Sequence, residues 1–198
     1  MASFEGQPAT KRPARASLLE AAARLFYADG VAATGIDSIT AAAGVAKKSL
    51  YNNFASKADL VAAYLADRHE EWLGLYWARV AVAATSRERV LAVFDAYMDH
   101  ANFSYEHGFR GCGLLNAAAE LPAGAPGRLA VRQHKEEVEG LLLEHVGELL
   151  PGRNEAAARV ARHLAFLLEG SMARAGLEGE DGCLREARTI AAQMLEEL

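Results

Sequence analysis

"GVAATGIDSITAAAGVAKKSLYNNFASKADL", residues 30–60, holds two short helical patterns separated by a glycine. Ile36, Ile39 and Ala43 form a short apolar stripe, and Thr34-Gly35-Ile36-Asp37 reads as a capping box in front of it. Gly44 follows, the default residue for a left-handed turn. A second short helix is expected from about Lys47, with Leu50 and Phe54 four apart on one face. Lys47, Lys48, Tyr51 and Asn52 point elsewhere. Ser56-Lys57-Ala58-Asp59 reads as a second capping box, opening a long helix to about Val82. Two short helices around a glycine turn, the second polar and basic outside, make a helix-turn-helix. Lysines meet phosphates and guanine edges, asparagines pair with adenine, and tyrosine offers a hydroxyl and a flat ring. A solvated helical corner has the same composition, so composition alone leaves both readings open.

Working outward, Leu18, Leu19, Ala22, Leu25 and Phe26 share one face between Pro13 and Ala28, predicting a first helix with Pro13 in its first turn and Gly30 just past its end. Residues 1–12 read as a flexible arm ending in Lys11-Arg12. Five further helices are expected near 86–106, 112–121, 126–149, 154–176 and 183–197, with breaks at 108–111, 121–127, 150–152 and 179–182. The fold class is all-α. A three-helix DNA-binding region over 13–57 precedes a larger helical domain over 58–198.

Composition narrows the functional classes. The chain is 52% hydrophobic and 24% charged, the balance of an ordinary globular protein with a sizeable core. Net charge is −5, yet residues 1–60 carry +2 and the remainder −7. A mildly positive head on an acidic body is compatible with one face meeting a polyanion. Cys112 and Cys183 fit no ligand spacing and read as reduced thiols in a cytoplasmic protein. Residues 1–16 are polar, with no apolar signal region, and no apolar run is long enough to span a bilayer. The six histidines show no paired metal-ligand spacing, and there is no phosphate-cradling glycine loop or nucleophile elbow. No enzyme activity, metal or cofactor is expected.

The order of Gly30, Thr34, Ile39, Ala43-Gly44-Val45, Lys47, Leu50-Tyr51, Phe54, Ser56-Lys57 and Leu60 resembles the DNA-binding domain of the TetR family of bacterial transcriptional repressors. With the preceding "LLEAAARLFYADG", the resemblance covers roughly residues 13–65. It implies a homodimer that sets two recognition helices in successive major grooves of double-stranded operator DNA. Lys47, Lys48 and Tyr51 then approach base edges and backbone, with Asn52 beside them. Thr34, Ser49, Asn53 and Lys57 hold phosphates, and Lys11 and Arg12 are candidates from the arm. The chain departs from the family at Ala46, where a capping Ser is frequent, and at Gly35, Lys48 and Asn53.

The resemblance further implies a body that binds a small-molecule effector and shifts the dimer away from the groove spacing. "GCGLLNAAAELP", residues 111–122, is similar to the carboxy-terminal domain of one branch of the family. Bulky apolar and aromatic groups with a few polar neighbours are the candidate pocket: Trp72, Tyr76, Phe94, Tyr97, Met98, Phe103, Leu115, Asn116 and His134. Plain core packing is the competing reading for each. Two stripes are expected to pair with a partner chain in a four-helix bundle. One is Val160, Leu164, Leu167, Leu168, Ser171 and Met172. The other is Ala187, Ala191, Met194 and Leu195.

Overall fold

A computed structural model describes residues 13–103 and 105–198. The arm expected over 1–12, with Lys11 and Arg12, lies outside the described residues. Among the described residues the chain is all-helical: α1 (Ala14–Asp29), α2 (Ile36–Ala43), α3 (Lys47–Asn53), α4 (Lys57–Val80), α5 (Ser86–Ala101), α6 (Gly113–Ala119), α7 (Pro126–Leu149), α8 (Asn154–Glu178) and α9 (Gly182–Glu196).

The head assembles because three short helices share one small core. Leu18, Ala22 and Phe26 of α1 meet Ile39 of α2, Leu50 of α3 and Phe54, all nearly or fully buried. Enclosing Leu50 and Phe54 stabilises the head by about 1.5–3 kcal/mol each. Gly44 makes the turn in the left-handed region (φ 65°), where a side chain would be strained. Ser56 caps α4 as expected, its Oγ accepting from the Asp59 amide at 3.1 Å. Asp59 reaches back in turn, accepting from the Ala55 amide at 3.0 Å, one residue before the cap.

Thr34 is not a cap. The α2 N-cap is Gly35, without a side-chain bond. The Thr34 hydroxyl points inward and donates to the Gly30 carbonyl at 2.6 Å. It is 3% exposed, so its expected phosphate contact is also lost.

α4 has 24 residues, about 36 Å of helix. Its first turns belong to the head, with Tyr64 edge-on to Phe26 of α1 at 5.5 Å. Its later turns pack on α5 and α7. A single rigid helix therefore runs from the recognition region into the body.

In the body, α7 packs on α5 and α8, and α9 packs on α5 and α8. The expected helix over 86–106 stops at Ala101, because the Asn102 side chain caps it by donating to the Met98 carbonyl at 2.8 Å. The two stripes assigned to a partner chain need correction. Leu164, Leu168, Ser171, Met172, Ala187, Ala191 and Leu195 are buried by their own protomer and have no surface to lend. Val160, Leu167 and Met194 are half-buried. The outward face of α8 carries Phe166 and Leu177 instead, 66% and 85% exposed, and α9 adds Ile190 at 38%.

Helix α3 is seven residues long, and its N-cap position is Ala46, whose extended backbone (φ −70°, ψ 148°) suits a cap that its methyl cannot supply. Ala46→Ser is expected to stabilise the protein by about 0.5–1 kcal/mol through one new amide acceptor. Urea unfolding checks this, and an unchanged or lower midpoint contradicts it.

Candidate functional site

The first site is the outer face of α3. Lys47, Lys48, Tyr51 and Asn52 are exposed together, opposite buried Leu50. Tyr51 is 52% exposed, too much for a packing residue of that size. Lys47 Nζ lies 2.8 Å from Asp37 Oδ1 of α2, and that hydrogen bond raises the lysine above its usual pKa. The ammonium is thus held as a cation over the turn. Ser49 is half-buried. The Asn53 side-chain amide donates one of its two N–H groups to the Ser49 carbonyl at 2.7 Å. Lys57 Nζ reaches the Ala32 carbonyl at 3.5 Å. Sequence reading missed Arg15, an exposed cation that lies over the Phe54 ring at 5.1 Å and joins this basic surface from α1.

The second site is a cavity of about 520 Å3 below the head. Of the expected pocket residues, Trp72, Tyr97, Phe103 and His134 line it. Tyr76, Phe94, Met98, Leu115 and Asn116 do not. The Tyr76 hydroxyl is committed to His145 Nε2 at 2.7 Å, and Phe94 is fully enclosed in the core. Met98 is half-buried away from the cavity, and Leu115 is 36% exposed. The Asn116 amide donates to the Arg110 carbonyl at 2.9 Å. Met172, expected at a partner interface, lines the cavity. Tyr64, Arg68 and His100 were missed, as were Tyr27 and Arg24 of α1. Tyr64, Arg68 and Trp72 are spaced four apart on α4, a periodicity that identifies one helix face. Nothing in the sequence places α1 beside them.

The charged groups around the cavity pair with one another. Arg68 pairs with Asp67 at 2.8 Å and Glu71 at 2.7 Å. Half-buried Lys135 meets Glu169 at 2.8 Å and donates to the Tyr97 hydroxyl at 3.0 Å. Tyr97 lies 3.5 Å from His134 Nε2, and His134 Nδ1 lies 2.9 Å from His69 Nδ1. Burial pushes His134 down to about 3, with Lys135 adding in the same direction. Burial, then Arg68 and Lys135, pushes His100 down to about 4. Both imidazoles are neutral at physiological pH.

Head and body meet at the 110–120 segment. The Glu120 carboxylate accepts from the amides of Val31 at 3.1 Å and Ala32 at 2.6 Å. The Arg110 guanidinium donates to the last α1 carbonyls, Tyr27 at 2.8 Å and Ala28. The Tyr27 hydroxyl donates to the Gly111 carbonyl at 3.1 Å and accepts from the Arg110 amide at 2.7 Å.

Comparison with known proteins matches this arrangement. The family model described as bacterial regulatory proteins, tetR family, covers residues 18–64. A TetR-family transcriptional regulator from Streptomyces coelicolor is 32% identical with a TM-score of 0.82, over 92% of this chain and 94% of that one. The chain belongs to the TetR family of transcriptional regulators. Curated relatives match over shorter spans. The HTH-type transcriptional regulator TtgR of Pseudomonas putida is 46% identical over 56 residues, 28% of this chain and 27% of that protein. The HTH-type transcriptional activator FasR of Mycolicibacterium smegmatis is 37% identical over 103 residues, 51% of this chain and 44% of that protein. The chain thus matches less than half the length of these curated relatives.

This TetR-family regulator carries an acid-sensitive cavity wall. His134 and His100 titrate lower folded than unfolded, so the unfolded chain takes up their protons first as pH falls. Stability is therefore full above the ordinary histidine value of 6.5 and declines on acidification towards the folded values. The ceiling is about 1.4 kcal/mol per pH unit for each histidine. Denaturant unfolding between about pH 7 and pH 5 is expected to show this decline, and His134→Gln to flatten it. A pH-independent midpoint contradicts the buried neutral assignment.

Proposed function

We propose that this TetR-family protein is a homodimeric repressor that binds operator DNA through α3 and releases it when a small molecule enters the cavity. The observation that carries this reading is the makeup of the cavity wall. It is built from α1 of the head as well as α4, α5, α6, α7 and α8. A guest there touches the DNA-binding region directly. Lys48, Tyr51, Asn52 and Lys47 are the groove-facing residues, with Asn53, Ser49, Lys57 and Arg15 towards phosphates. Thr34 supports the head from inside.

The second copy is assigned to the outer faces of α8 and α9. Phe166, Gly170, Ala173 and Leu177 recur at helical spacing along α8, two large apolar groups flanking two small ones. Ile190 is a further exposed apolar group on α9, which packs on α8. Exposed apolar surface of this kind marks an association site. No described helix is long and apolar enough to cross a membrane, and a cytoplasmic location goes with the operator-binding role. An activator is the second reading, favoured by the similarity to FasR, a transcriptional activator.

A gel shift with DNA from upstream of the protein's own gene tests this. If each protomer neutralises about four phosphates, log affinity against log salt has a slope near −7 for the dimer. Lys48→Ala, one charge per protomer, is expected to shallow it by about 2. Sequence-specific retardation that a cavity ligand reverses supports the repressor. A slope near zero, or no retardation at low salt, contradicts DNA binding. Retardation with reporter expression lost on deleting the gene favours the activator.

A further inference from the structure

Cys112 borders the cavity, and its thiol sits in a cluster with a cation. Lys135 Nζ donates to Cys112 Sγ at 3.7 Å and to the Tyr97 hydroxyl at 3.0 Å, and pairs with Glu169 Oε1 at 2.8 Å. An ammonium has three N–H groups, so these three partners account for all of them and hold the charge against the sulfur. The neighbouring backbone fixes the place. A Cβ on Gly113 would lie 3.0 Å from the Tyr64 hydroxyl and 3.1 Å from the Tyr27 ring, so the chain at 112–113 runs against two tyrosines of the cavity wall. Charge on the sulfur is felt at the hydroxyls of Tyr27, Tyr64 and Tyr97, all three of which line the cavity.

A cation against a thiol favours the anionic, nucleophilic form of the sulfur. Cys183 has the opposite surroundings. Its Sγ donates to Glu178 Oε2 at 3.2 Å, and that hydrogen bond raises the thiol above its usual pKa. Cys183 is also the more open of the two, half-buried where Cys112 is 8% exposed. Exposure and activation therefore rank the two thiols in opposite orders. The cavity next to Cys112, at about 520 Å3, admits a molecule of drug size. Cys183 is not among the residues that line it, so no second thiol faces Cys112 across the space. The chemistry that remains for a single activated sulfur is addition to a soft carbon electrophile.

We propose that Cys112 is a covalent attachment site in the cavity, where its thiol, beside Lys135, adds to an α,β-unsaturated carbonyl compound. This deepens the reading of the cavity as the effector site and rests on it. The sulfur gives up its proton and forms a bond to the β-carbon. The carbon–carbon π pair moves onto the carbonyl, and the enolate so formed takes up a proton at the α-carbon. In sum, S–H and C=C become S–C and C–H, with no oxidant, reductant or leaving group. Lys135 stabilises the charge on the sulfur before the bond forms and is unchanged after it. The adduct stands on the segment that Arg110 and Glu120 tie to the head.

Competition between the two thiols tests this. The full chain, reduced, is given a limiting amount of N-phenylmaleimide at neutral pH, and the adducts are located by peptide mass spectrometry. Cys112 is expected to be labelled about tenfold faster than Cys183, against the order of exposure. A maleimide on a long polyethylene glycol chain, too large for the cavity, is expected to reverse that order. Lys135→Met keeps the stem and removes the ammonium. It is expected to slow Cys112 about tenfold and leave Cys183 unchanged, while Lys135→Arg retains most of the preference. Faster or equal labelling of Cys183 by the small probe overturns the proposal, as does a Cys112 that stays unlabelled. An unchanged Cys112 rate in Lys135→Met contradicts the role of the ammonium. The comparison of the two thiols on the unsubstituted chain decides the site even if a variant folds poorly. Labelling is read without DNA, so a failed gel shift leaves the attachment site standing. Conversely, an inert Cys112 overturns the site, while operator release by a non-covalent guest still supports the cavity as the effector site.

Discussion

The Glu120 carboxylate, bonded to two backbone amides of the head, decides how head and body sit together. Gly30 makes this possible. Its φ of 95° turns the chain, and a Cβ there would lie 2.7 Å from Glu120 Oε1. With hydrogen in its place, the carboxylate comes up under the turn and takes the Val31 and Ala32 amides. Arg110 completes the joint from the other end of the segment by capping the α1 carbonyls, a favourable end for a cation. Glu120 is exposed, so water screens its bonds and each contributes about 1 kcal/mol. The joint therefore consists of a few contacts that a small displacement breaks.

The same short segment walls the cavity. Cys112, Gly113 and Leu114 lie between Arg110 and Glu120 and face the space directly. Tyr27 faces it from α1 while its hydroxyl ties α1 to Gly111 and Arg110. One segment thus both lines the cavity and holds the head. α4 supplies the second connection, since Tyr64 touches α1 and Trp72 lies in the body. Coupling between the sites needs only a guest that prefers one arrangement of these parts.

Local pattern made the head legible, because its determinants are close in sequence. Gly44, the Leu50–Phe54 pair and the Ser56 cap each specify a few neighbouring residues, and the structure agrees with each. Thr34 misled because a hydroxyl before a helix reads as a cap, while its real acceptor is Gly30 behind it. The α8 and α9 stripes show a different limit. Periodicity identifies which face is buried, but not what buries it. Leu164 and Ala191 are enclosed by their own chain, and the apolar surface left exposed on α8 carries Phe166, which the stripe omitted. In the cavity, the bulky residues Trp72, Tyr97, Phe103 and His134 stood out. Arg68 and His100 went unassigned, because what brings them to the cavity is packing by helices distant in sequence.

The most direct test is amide hydrogen exchange at Val31 and Ala32, compared between the unsubstituted chain and Glu120→Ala. If the carboxylate holds the head, these two amides and the last turn of α1 exchange roughly tenfold faster or more in the variant, while α8 and α9 are unchanged. Unaltered protection at Val31 and Ala32 would show that the head is held by packing alone, and would contradict the role assigned to Glu120.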